Sequence, residues 1–272
     1  MVKLIIIFLY IEIMRAQLLF LFIFLQSFLA HNQIKLERII TTRNDNKFEL
    51  IKIDNLGNEY YLSDYQLLKN KDLLFSDSSM GFISKVDLYN PLKIKIWFLD
   101  FNTLVVLDNF LNEITRINFN EIDSLGEIYD ISSANDNSIW VFDQTEMKIK
   151  KIDFFKRMPV ENIETKIEGE FLDFKSNYNY LWIITDLYFY KVNYNGSIIY
   201  KTQNKGNYNK IRLFKNDVIL ASYGELILFK NDKELFVDVQ HEKLFIKDFF
   251  VINETLYIYD EDHLNKYLIL TY

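Results

Sequence analysis

A Trp or Tyr followed three residues later by Asp recurs through this chain as Tyr61/Asp64, Trp97/Asp100, Trp140/Asp143 and Tyr257/Asp260, with Trp182/Asp186 one residue longer. A degenerate sixth copy lies near residues 219–223. The intervals between Tyr61, Trp97, Trp140, Trp182, Leu220 and Tyr257 are 36, 43, 42, 38 and 37 residues. A recurring period of about 40 residues is the length of a four-stranded propeller blade. Residues 127–154 show the content of one unit: three short runs, Glu127 to Ile131, Ile139 to Asp143 and Met147 to Phe154, each alternating apolar and polar positions. Such runs, bounded by Asn, Asp and Ser, read as half-buried strands joined by tight turns.

A second series supports the same register. A polar position in the strand before each aromatic recurs as Lys52, Asp87, Asp130, Asp173, Arg212 and Asp248, 8 to 10 residues ahead of it. Two series agreeing on six units predict an all-β, six-bladed β-propeller with blades at about 48–77, 82–120, 127–169, 170–205, 209–240 and 245–272. The last unit holds only three strands. The orphan strand Ile34 to Thr42 is expected to supply its fourth, closing the ring and removing two open edges. Hairpin turns are expected at Asn195-Gly196, Asn231-Asp232 and the residues around Gly57. No Pro-, Gly- or Ser-rich linker interrupts residues 34–272, which read as a single domain.

Residues 1–33 have a different character. Met14-Arg15, the apolar run Leu18 to Leu25 and the more polar Gln26 to Gln33 match the three regions of a secretory signal peptide. Met14 offers an internal start, which would make residues 1–13 an upstream over-read. Cleavage predicts an exported protein of the periplasm or cell envelope; an uncleaved segment, lengthened by residues 1–13, would be a membrane anchor. The chain has no cysteine, which excludes disulfides, thiolate metal sites and the lipid-bearing residue of a lipoprotein. With a net charge of −7 and no basic stripe, it is not expected to bind nucleic acid.

Catalytic motifs are absent: no GxGxxG, GxxxxGK or GxSxG occurs, and His241-Glu242 is not followed by a second His at ligand spacing. The Asp series after the aromatics is expected to cap turns, because Asp accepts hydrogen bonds from backbone N–H groups two residues on. The polar series is the candidate site. On innermost strands, Asp87, Asp130, Asp173 and Asp248 would face a central channel as ligands for a hard cation such as calcium, with Lys52 and Arg212 completing the ring. The other reading of the same ring is a structural ion-pair network. Tyr178, Tyr180, Tyr188 and Tyr190, if exposed, would form a platform for a glycan.

The run from Asp87-Leu-Tyr-Asn-Pro through Trp97-Phe-Leu-Asp to Leu107-Asp-Asn-Phe, with Ser138-Ile-Trp-Val-Phe-Asp143 and Lys148 to Asp153, resembles uncharacterised exported propeller-like proteins of the Bacteroidota. More distantly the layout is similar to NHL-type propellers. The resemblance implies an envelope propeller and carries no catalytic residue. The expectation is a non-catalytic binding or scaffolding module whose partner is an envelope protein or glycan. The competing expectations are a metal-dependent lactonase- or esterase-like hydrolase with its site in the channel, and a glycan-binding protein.

Overall fold

The runs that carry the three tryptophans, Ile94–Phe98, Ser138–Asp143 and Tyr180–Thr185, are each buried along nearly their whole length. A strand is buried on both faces only when other layers cover it from either side. The computed structural model of the protein describes residues 14–15, 17, 33–43, 48–54, 56–135, 137–238, 245–260 and 263–270. In it these runs are the second strands of blades packed between two neighbours.

Four four-stranded antiparallel meanders follow one another. The first comprises β2 (Glu49–Ile53), β3 (Glu59–Ser63), β4 (Gln66–Lys69) and β5 (Leu73–Ser76). The second comprises β6 (Lys85–Asp87), β7 (Ile94–Phe98), β8 (Thr103–Leu107) and β9 (Glu113–Asn118), the third β10 (Ile128–Ser133), β11 (Ser138–Asp143), β12 (Lys148–Asp153) and β13 (Met158–Lys166). The fourth is β14 (Phe171–Ser176), β15 (Tyr180–Thr185), β16 (Tyr188–Asn193) and β17 (Ile198–Gln203).

The fifth blade, β18 (Lys210–Phe214), β19 (Asp217–Ala221), β20 (Leu226–Lys230) and β21 (Lys233–Asp238), is continuous with the sixth in one eight-stranded sheet. The sixth contains β22 (Asp248–Ile252), β23 (Thr255–Tyr259) and β24 (His263–Leu270), and its fourth strand is β1 (Gln33–Arg43). β1 runs antiparallel to β24 from Lys35↔Leu270 to Arg43↔His263 and parallel to β21 at Gln33↔Phe236 through Lys35↔Asp238. The ring is a six-bladed propeller closed by its N-terminal strand, with blade limits within a few residues of those read from the repeats. The three expected hairpins form: Gly57 (φ 83), Gly196 (φ 81) and Asn231-Asp232 (φ 50 and 59) all adopt the left-handed conformation that tight hairpin turns require.

The core lies between blades. Six hydrophobic clusters among the described residues each join two adjacent blades. The repeating aromatics serve these contacts, since Trp97, Trp140 and Trp182 are 1–2% exposed and each packs toward the following blade. The cluster between blades six and one is the smallest, with Phe250, Tyr257 and Tyr259 against Leu50, Ile53, Ile252 and Leu264. The expected signal segment lies almost entirely outside the described residues. No described helix is long and apolar enough to cross a membrane.

Candidate functional site

The first strand of every blade is its innermost, and together these strands surround a central cavity of about 560 Å³. Lys52, Asp87, Asp130, Asp173, Arg212 and Asp248 all border it. They do not lie at one level. Asp130, Asp173 and Asp248 pair with Phe142, Ile184 and Tyr259, each two residues past the repeating aromatic of its blade, whereas Asp87 pairs with Lys95, two residues before Trp97. Opposite the aromatics themselves sit Lys85 (facing Trp97) and Lys175 (facing Trp182). Residues two apart on a strand share a face and are separated by about 6.6 Å. The channel wall is therefore layered: acids toward the start of the inner strands, lysines one step along, and Asp87 a step further.

Side chains of this wall join each blade to the next. Lys52 Nζ donates to the Leu88 carbonyl at 2.5 Å, linking blades one and two. Blades two and three are joined twice, by Lys85 Nζ to Asp130 Oδ2 at 2.7 Å and by Asp87, which accepts from the Ser133 N–H (2.7 Å) and hydroxyl (2.8 Å). The Ser132 and Ser176 hydroxyls, 2.7 Å apart, join three to four. Asp173 accepts from the Ile211 N–H at 2.8 Å and from Arg212 at 3.2 Å, and Arg212 reaches on to Asp248 at 2.6 Å and the Phe249 carbonyl at 2.8 Å. The Tyr259 hydroxyl donates to the Leu50 carbonyl at 2.9 Å and completes the circuit.

Calcium requires six to eight oxygens converging on one point. The four carboxylates do not provide that: each is engaged by backbone N–H groups or a cation on a neighbouring strand, and they stand at two levels. Among the described residues no group of three or more His, Asp or Glu side chains is placed to hold a metal ion.

Two features of the wall escaped the sequence series. Lys175 borders the cavity yet forms no hydrogen bond or ion pair among the described residues. Burial, with the charges of Lys85 and Arg212 added, outweighs the pull of Asp173 and Asp87 and lowers its pKa to about 8. The indole N–H of Trp97, in the same wall, is the one buried side-chain polar atom without a partner among the described residues. Both lysines stand two residues from an acid of the series, Lys85 before Asp87 and Lys175 after Asp173, so the two-residue period of a strand already placed them on the channel face.

Elsewhere the expectations divide. Asp143 and Asp260 cap turns, accepting from the N–H groups of Thr145 (3.1 Å) and His263 (2.7 Å), but the Asp64 and Asp100 side chains accept no such bond among the described residues. Asp108, Asp153 and Asn193 cap the outer hairpins in the same way. The tyrosine platform does not form. Tyr190 is 1% exposed, and the rings of Tyr180 and Tyr188 are covered by Lys191 (4.6 Å) and Lys201 (3.9 Å). Tyr178 instead meets Tyr89 edge to face at 5.1 Å. Because these two belong to blades four and two, the pair spans blade three and narrows the end of the channel where the inner strands finish.

No family model matches this chain, and no curated protein matches it. Solved structures do. Virginiamycin B lyase from Staphylococcus aureus, in a catalytically inactive form with quinupristin, aligns with TM-score 0.61 and 12% identity over 84% of this chain and 82% of that one. A streptogramin B lyase aligns with TM-score 0.58 and 14% identity over 83% and 80%, and the Pan2 WD40 domain of Neurospora crassa with 0.57 and 10% over 83% and 75%. The chain shares their propeller fold. Identities this low carry the fold alone, and the fold spans lyases and a WD40 domain without selecting among them.

Proposed function

We propose that the protein is a non-catalytic binding or scaffolding module of the cell envelope, exported by its N-terminal segment. The observation that carries this reading is the circuit of inner-strand contacts. Four lining side chains suited to acid–base work, Lys85, Asp87, Asp130 and Asp173, are each engaged in bridging one blade to the next, with Lys175 the exception. A group held between two blades as a clasp is not free to move a proton on a substrate, which general acid–base catalysis requires. The clasp stiffens the ring and leaves its faces to present loops, as rigid scaffolds for binding do. Export is supported by the character of residues 14–33 and by the resemblance of residues 84–154 to exported propellers of the Bacteroidota.

The test is a panel of lactones and carboxylic esters, with and without calcium, on the purified full domain. No turnover above background is expected. Turnover that Asp130→Asn abolishes in a folded protein would overturn the non-catalytic reading. Export is checked separately by mass spectrometry of the protein from its native host, where a mature N-terminus near residues 31–33 is expected. A cytoplasmic species retaining Met14 would reject it.

A further inference from the structure

Every charged side chain placed in a wall between packed blades loses hydration, and a lost hydration shell is normally replaced by a partner. In this channel the rule is met at Lys52, Lys85 and Arg212, which reach the Leu88 carbonyl, Asp130 and the Asp173/Asp248 pair. It is not met at Lys175. The ammonium enters a cavity of about 560 Å³, room for a small organic molecule and its water, with no acceptor committed to it among the described residues. We propose that the channel is a binding site for a small anion carrying a phosphate, sulfate or carboxylate group, anchored by Lys175. The inference rests on the binding-module reading and gives it a ligand class.

Three observations agree on the sign of the ligand. Two unpartnered groups of the wall among the described residues are donors, the Lys175 ammonium and the buried Trp97 indole N–H, while the lining carboxylate without a partner, Glu49, is exposed. Three of the acids that would repel an anion are held in ion pairs, Asp130 with Lys85, Asp173 with Arg212 and Asp248 with Arg212 and Lys210, and Asp87 accepts two bonds from Ser133. Lys85 and Lys175 stand at the same level, each opposite the repeating aromatic of its blade, so their charges add at one depth. An anion at that depth would accept from Lys175 and be attracted by Lys85 and Arg212, whose repulsion currently opposes the Lys175 charge. Charge-assisted bonds of this kind are the strong ones.

The probe is inorganic sulfate, whose charge is constant over the range in which Lys175 titrates, added to the full domain at constant ionic strength against chloride and followed by calorimetry. Saturable one-site binding is expected, weakened at least about tenfold by Lys175→Met and kept by Lys175→Arg. Affinity should fall as pH rises past about 8, as the Lys175 ammonium loses its proton; the other charged groups facing it are Lys85, Arg212, Asp87, Asp130, Asp173 and Asp248. This profile, measured on the unmodified protein, decides the matter even if a variant fails to fold. Sulfate heats no larger than those of chloride, affinity unchanged in Lys175→Met, or affinity indifferent to pH through that range would each overturn the proposal. Lys175-dependent sulfate binding together with ester turnover would overturn the non-catalytic reading and leave the anion site standing. Neither binding nor turnover would do the reverse.

Discussion

A protein lacking residues 33–43 is expected to lose its cooperative melting transition and to aggregate. β1 buries Ile34 (5% exposed) and Leu36 (1%) in a cluster that contains side chains of both the fifth and sixth blades. Each such side chain contributes about 1.5–3 kcal/mol by removal from water. The strand also carries the whole ladder to β24 and the parallel pairs with β21, so its loss opens two sheet edges at once. The total is about 5 kcal/mol or more, comparable to the net stability of a whole domain. The contact between blades six and one already has the smallest cluster, so a ring opened at β1 has a weak interface on the other side of the sixth blade. Near-ultraviolet circular dichroism and urea titration check this. A deleted protein that melts within about 2 °C of its parent would show that the ring does not depend on its closing strand.

Asp87→Ala is expected to destabilise the folded protein by about 3–5 kcal/mol, the range for removing one partner of a buried charged network. Asp87 is 6% exposed and accepts from the Ser133 N–H and hydroxyl and from the Tyr89 N–H, so its removal strands donors of two blades and leaves Lys95 and Lys175 less compensated. Burial pushes the Asp87 carboxyl up, but Lys95, Lys175 and the hydrogen bonds from Tyr89 and Ser133 prevail and hold its pKa at about 2. The sign of the pH dependence follows. With a folded pKa below the unfolded value, the carboxylate contributes stability that is complete above about pH 4 and is lost as pH falls toward 2, amounting to about 2 kcal/mol. Asp87→Asn should therefore lower stability at neutral pH and flatten its fall over that acid range. Equal denaturant midpoints for Asp87→Ala and the parent at neutral pH would show that the blade two to three clasp contributes nothing.

How far the site could be read from residues alone is clearest at Asp87. It lies 10 residues before its aromatic, the same distance as Asp130 from Trp140, and by spacing the two belong to one ring. They occupy different levels because the β6–β7 connection, residues 88–93, is longer than the β10–β11 connection, residues 134–137. Residues in a turn advance the count without advancing along the channel, so equal spacing in sequence becomes unequal depth in space. The tyrosines failed for a related reason. Tyr188 and Tyr190 share one face of β16, and that face packs into the cluster between blades three and four, with Lys201 of β17 over both rings.

What the sequence determined by itself was everything governed by short range: six units, their strands, the Gly and Asn-Asp turns, and the spare N-terminal strand needed to complete a three-stranded last blade. Those follow from a two-residue alternation and from turns closed within four or five positions, and both are visible in a window of a few residues. The tertiary structure alone decided which inner-strand groups meet. Asp87 bonds Ser133 across 46 residues and Lys85 bonds Asp130 across 45, while Lys175 in the same wall meets no acceptor among the described residues. Those outcomes depend on strand register and on how far one blade is rotated from the next, quantities set by packing the inter-blade clusters and written in no local pattern.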